Sequence, residues 1–107
     1  MKTFHVYVST NLSFPKKRDN LWVAFCLEHN LFAQGNTPSK AAELFIKVFK
    51  GQMIWDLKEG RPIFKNIGPL DEINDSWWKE YNLLDIQQVI QIKSFPCNLE
   101  FRWNTHV

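Results

Sequence analysis

The sequence predicts an α+β domain: a small antiparallel sheet with one long helix packed on it, followed by a short C-terminal helix and strands. Three observations predict this class. Residues 3–9 alternate with the period of a half-buried strand, residues 21–34 form two short apolar runs around a polar reversal, and residues 38–59 repeat apolar side chains at spacings of three and four. With 107 residues, 45% apolar and 22% charged, the chain can bury one core but not two.

Thr3 to Ser9 sets Phe4, Val6 and Val8 on one face of the first strand and His5 and Tyr7 on the other. A polar loop, Asn11 to Asn20, leads to the second strand, Leu21 to Leu27. Both faces of that strand are apolar, Trp22, Ala24 and Cys26 on one and Val23, Phe25 and Leu27 on the other, so both need cover. The long helix supplies one cover, and the C-terminal segment or a partner must supply the other. Glu28-His29-Asn30 is a tight polar reversal that returns the chain antiparallel through Leu31 to Gln34.

Gly35 gives the backbone freedom after the third strand, Thr37 is a good N-cap, and Pro38 sits at the first helical position, where its missing N–H costs nothing. The helix then carries Ala42, Phe45, Phe49, Met53 and Trp55 to Leu57 on apolar positions. A helix reaching about Glu59 would run ~33 Å, longer than a small sheet requires, with Gly51 as its weak point. Gly60 and then Pro62 provide the stop. Asp71 to Asp85 reads as a short amphipathic helix around Trp77, Trp78, Tyr81, Leu83 and Leu84. Val89 to Phe95 and Leu99 to Trp103 read as strands joined by Pro96-Cys97-Asn98. In the second of them, the alternation of Leu99, Phe101 and Trp103 against Glu100 and Arg102 implies one wet face.

Trp22, Ala24, Cys26, Gln34, Gly35, Asn36, Thr37 and Ala41, followed by a long helix and Glu-Gly-Arg-Pro-Ile-Phe, form a pattern that resembles the HicB-like family over residues 22–66. The resemblance implies a reduced ribonuclease H-like core and a single HicB-like domain over 1–107, with 70–107 as a divergent C-terminal extension. It also implies association as a homodimer. Many HicB-like proteins of bacteria and phages are antitoxins that block a small RNA-cleaving toxin and carry a C-terminal DNA-binding module. Stand-alone members are largely without assigned function.

Nuclease chemistry on such a core needs carboxylates converging on a metal pair, one of them in the first strand. Thr3 to Ser9 contains none, and Glu43 and Asp56 stand 13 residues apart on one helix (56 − 43 = 13). Cys26 and His29, with Cys97 and His106, could supply zinc ligands, but they lack the paired short spacing of a structural finger. Cys26 and His29 also lie on opposite sides of a reversal, a poor arrangement for a thiol nucleophile and its base. No phosphate-cradling glycine loop and no nucleophile elbow occur. No catalytic residue, metal or cofactor is therefore expected.

Binding is the better reading. Trp77, Trp78 and Tyr81, ringed by Asp71, Glu72, Asp75 and Glu80, have the composition of an interface anchor, but the bare face of the sheet needs a cover, so folding back over it is the slightly favoured use of these rings, and one tryptophan can serve each purpose. Lys16, Lys17 and Arg18 form a small basic cluster beside Phe14 that could touch phosphates, but it is too short for a nucleic-acid footprint. The net charge of +2 splits into ten basic against five acidic residues over 1–69 and three against six over 70–107, a mild dipole of +5 and −3. Neither an apolar signal-peptide core nor a membrane-length apolar run is present, so a cytoplasmic location is expected, with no membrane partner. Two cysteines in such a chain read as free thiols.

The sequence thus points to a non-enzymatic protein-interaction domain, an antitoxin-type or inhibitor-type binder of a toxin or host protein, and a homodimer. The alternative is a nucleic-acid-binding accessory protein using residues 14–18, and a small hydrolase is the remotest reading. Two features sit badly with the antitoxin version. RNA-cleaving toxins are basic and their neutralisers gain from acidity, yet this chain is net positive; and Lys40 stands where an acid would complement the helix dipole.

Overall fold

A computed structural model describes residues 2–10, 21–29, 31–60, 71–93 and 97–104. Its elements are β1 (Lys2–Ser9), β2 (Trp22–Cys26), β3 (Phe32–Gly35), α1 (Pro38–Lys58), α2 (Asp71–Asn82), β4 (Ile86–Ile92) and β5 (Cys97–Trp103). The strands form one five-stranded sheet in the order β3-β2-β1-β5-β4. α1 packs across β1, β2 and β3 on one face, and α2 closes over the other.

The first three strands pair antiparallel, as the sequence predicts. The sheet as a whole is not antiparallel, because β5 enters beside β1 in parallel, with Phe4 opposite Leu99, Val6 opposite Phe101 and Val8 opposite Trp103. Alternation along β5 assigns its faces but carries no information about the direction of its neighbour, so the sequence pattern could not separate a mixed sheet from an antiparallel one. Residues 97–103 are accordingly an interior strand of the sheet. Cys97, which the sequence pattern places in a turn, is the first residue of β5 and is buried.

The α1 side holds the main core: Phe4, Val6 and Val8 from β1, Ala24 and Cys26 from β2, and Leu99 and Phe101 from β5 meet Ala41, Ala42, Phe45, Phe49 and Met53. Phe45 stands edge-on to Phe101 with ring centroids 6.0 Å apart, and Phe49 lies 5.4 Å from Phe4. Burying each such ring contributes about 1.5–3 kcal/mol. The cap is as expected, with the Thr37 hydroxyl accepting from the Lys40 N–H at 3.1 Å. Gly60, at φ 66°, follows the helix in the left-handed conformation that favours glycine. Gly51 does not interrupt α1.

Gly35 has a different reason from the one the sequence suggests. A Cβ there would stand 2.5 Å from the backbone nitrogen of Ala41 and 2.9 Å from the Lys40 carbonyl carbon, so glycine is required for the close approach of β3 to α1. The second cover for β2 comes from the C-terminal part of the chain. Leu27, Phe25 and Tyr7 pack with Trp77, Trp78, Tyr81 and Leu84, placing the sheet between two helices.

Candidate functional site

The polar groups of the molecule converge where α2 meets the sheet. β1 points His5 and Tyr7 away from the main core, and β5 points Glu100 and Arg102 the same way, because the parallel register pairs His5 with Glu100 and Tyr7 with Arg102. The Glu28 carboxylate reaches back from the turn after β2. It accepts from the His5 backbone N–H at 2.9 Å and lies 2.7 Å from the ring Nδ1. His5 Nε2 is 4.0 Å from Glu100 Oε2. That same oxygen accepts from the Tyr81 hydroxyl at 2.8 Å and from Arg102 Nε at 3.2 Å, while Arg102 also donates to the Leu84 carbonyl at 3.0 Å. The guanidinium lies over the Tyr81 ring, 4.7 Å from its centroid, and Trp78 stands edge-on to His5 at 4.9 Å.

The hydrogen bond to Glu28 dominates the behaviour of His5, raising its pKa from the ordinary 6.5; burial opposes this, the Glu28 and Glu100 charges add to it, and Arg102 works against it. Burial, reinforced by the bond to Glu100, pushes the Tyr81 phenol far up. Tyr7 is shifted upward as well, by burial first and then by its 3.0 Å hydrogen bond to Glu80. These bonds tie His5 to Glu28, and Tyr81 and Arg102 to Glu100 and Leu84, so the network clamps α2 to the sheet. The supposed wet face of β5 is therefore largely covered, with the Glu100 and Arg102 side chains only 15% and 19% exposed.

The aromatic residues predicted to bind a partner divide between two roles. Tyr81 is fully buried, and Trp77 and Trp78 are half-buried against Phe25 and His5. Asp75 is exposed; Glu80 is exposed along its length but bonded to Tyr7 through its carboxylate. The side chains of Asp71 and Glu72, and all of Lys16, Lys17 and Arg18, lie outside the described residues. Both cysteines are free and buried; burial, then the charge of Glu28, pushes the Cys26 thiol up to about 12, far from the thiolate that catalysis or metal binding needs. Asp56 is buried and accepts from Gln52 at 3.0 Å, while Glu43 is exposed. Among the described residues no group of three or more His, Cys, Asp and Glu side chains could hold a metal, and no helix is long and apolar enough to cross a membrane.

The sequence reading missed the pairing of His5 with Glu28 and Glu100. The available signal was a histidine on the side of β1 away from the main core, but its partners are 23 and 95 residues away in sequence (28 − 5 and 100 − 5). It also missed the outer face of α1. Leu44, Val48, Ile54, Trp55 and Leu57 are exposed there, Trp55 by 53% and Leu57 by 60%, beside the exposed Lys40, Lys47, Lys50 and Lys58. Spacings of four and seven align Leu44, Val48 and Trp55 along one stripe. No family model matches the chain, and no curated protein or solved structure matches it.

Proposed function

We propose that the protein is a non-enzymatic protein-interaction domain that meets its partner through the outer face of α1. The observation that carries this reading is the exposed stripe of Leu44, Val48 and Trp55, on a helix whose core-facing side is taken up by Ala41, Ala42, Phe45, Phe49 and Met53. A contiguous apolar strip with an exposed indole is the composition of an interface anchor, whereas scattered single apolar side chains need no explanation. Trp55 replaces Trp77 and Trp78 as the main anchor because it is 53% exposed, whereas those two indoles are half-buried.

Charge narrows the partner. Lys40, Lys47, Lys50 and Lys58 flank the stripe and Glu43 alone opposes them within the helix before Asp56, which is buried. The complementary surface is acidic with an apolar centre. That favours an inhibitor-type binder of an acidic protein over an antitoxin-type binder of a basic, RNA-cleaving toxin. Four lysines on one helix also suit phosphates, but the apolar side chains between them offer nothing to a nucleic-acid backbone.

A photo-crosslinking residue placed at position 55 or 48 in cells of the native host is expected to capture one distinct protein with an acidic surface, while the same residue at position 82 captures none. Capture from position 78 alone would return the site to α2. Labelled nucleic acid retained at 200 mM salt and lost on substitution of the α1 lysines would favour the accessory-protein reading.

A further inference from the structure

α1 carries a glycine in mid-helix, Gly51, that the fold itself does not require. Unlike Gly60 it has no positive φ, and unlike Gly35 it has no close neighbour: among the described residues, no atom outside the helix's own backbone lies within 4 Å of a methyl built there. A glycine in such a place costs about 0.5–1 kcal/mol relative to alanine. What the missing side chain leaves is open space on the outer surface of the helix.

Leu44, Val48, Gly51 and Trp55 follow one another at steps of four, three and four, the alternation of a coiled-coil seam. At 3.6 residues per turn, the four positions fall within about 60° of one another around the axis. Leu44 and Val48 are 43% and 39% exposed, and the exposed Trp55 bounds the seam at its far end. Gly51 is therefore a hole between apolar walls. Lys40, Lys47 and Lys58, all exposed, line the side of the seam that turns away from the sheet, and the half-buried Gln52 borders the other side, next to the core. Glu43 lies beyond the lysines, and Glu59 past the end of the seam.

We infer that the partner docks on this seam through an acidic amphipathic helix whose central apolar side chain enters the hole at Gly51; the inference rests on the outer face of α1 being the docking face. A helix presents side chains at the same steps of three and four, about 5.5 Å apart along its axis, and so stays in phase with Leu44, Val48 and Gly51 over roughly three turns. An extended chain spaces the side chains of one face about 6.6 Å apart and drifts out of register along the seam. The lysines set the charge of the partner. Carboxylates on its facing flank pair with Lys40, Lys47 and Lys58, and a basic flank is repelled.

Fluorescence anisotropy of labelled synthetic helices titrated with the full chain tests the inference. The first peptide has leucine at the heptad seam positions and glutamate on both flanks, the second has alanine in place of the central leucine, and the third has lysine in place of glutamate. The first is expected to bind and the third not. Gly51→Leu, which fills the hole, is expected to weaken binding of the first peptide more than about tenfold with the far-ultraviolet circular dichroism unchanged, and the alanine-centred peptide to recover most of that loss. Lys40→Gln with Lys47→Gln and Lys58→Gln changes only exposed side chains, is expected to weaken the first peptide several-fold, and decides the matter if Gly51→Leu disturbs the fold. Failure of the glutamate peptide to bind, binding indifferent to both sets of changes, or a seam that holds phosphatidylserine vesicles or a second copy of the chain instead overturns the inference. A partner captured from position 48 or 55 whose crosslinked segment is not helical overturns this inference and leaves the proposed function standing; loss of both capture and peptide binding overturns the two together.

Discussion

The two faces of the sheet are held by different physics. On the α1 side, phenylalanine, alanine, valine and leucine interdigitate with two cysteines and a methionine, and cohesion scales with area removed from water. On the α2 side the contact is a ring of aromatics around a charged network, in which Tyr81 and Arg102 converge on one oxygen of Glu100 and Glu28 holds His5. The first face tolerates any change that keeps volume. The second depends on each polar group keeping its partner, because an unsatisfied group in a covered site costs more than a made bond contributes. The α1 face is therefore the source of global stability, and the α2 face is the part of the molecule that conditions can loosen.

The largest expected effect is on the α1 face. Phe49→Ala removes a fully buried ring packed on Phe4 and Phe45 and should cost about 3–5 kcal/mol, enough to shift or abolish the cooperative urea transition. A loss well below that range would mean that the core collapses into the space and is not close-packed.

Tyr81→Phe tests the other face. It keeps the ring and removes the hydroxyl that bonds the Glu100 carboxylate and carbonyl, both at 2.8 Å. The expected cost is about 1–3 kcal/mol, and hydrogen exchange should quicken in residues 75–84 more than in α1. Equal quickening in both helices would show that the two faces unfold as one unit.

Gly51→Ala sharpens the comparison in the stabilising direction. Nothing lies within 4 Å of the added methyl, so the gain of about 0.5–1 kcal/mol should come from helix propensity alone. A thermal melt reads it, and a loss of stability would mean that the outer face of α1 is occupied where the glycine lies.

The smallest effect concerns the two described histidines, which titrate in opposite senses. His5, raised above 6.5 chiefly by its bond to Glu28, contributes stability that is complete below pH 6.5 and lost as the pH rises through its raised value. His29, lowered by burial, favours the folded state above pH 6.5, and that contribution is lost as the pH falls through its depressed value. Wild-type stability alone mixes the two. The difference between wild type and His5→Gln, measured by urea unfolding from pH 5 to 8, should be largest at the acid end and shrink as the pH rises. A difference that is flat across this range would show that His5 contributes only its shape.

Much of the fold was legible in the sequence because it rests on local signals. Alternation in β1, the two apolar faces of β2, the Thr37-Pro38 start and the Gly60 stop each report a preference that acts over a few residues, and the structure follows them within one to three positions. The need for a second cover on β2 was equally legible, since an apolar face cannot be left in water. The candidate site was legible only in fragments. His5 could be assigned to the face opposite Phe4, and Trp77, Trp78 and Tyr81 could be assigned to a helix. That these meet Glu28, Glu100 and Arg102 follows from the parallel insertion of β5 beside β1, a pairing between residues some 95 positions apart (97 − 2).

The amino-acid sequence by itself determined the elements, their buried faces and the helix caps, because these depend on side-chain period and on backbone conformations that few residue types satisfy. Only the tertiary structure decided the direction of β5, the clamp on His5 and which apolar residues of α1 stay outside. Those outcomes depend on which faces come together across long stretches of chain, and hydrophobic burial, being non-directional, does not specify the pairing until the whole sheet is assembled.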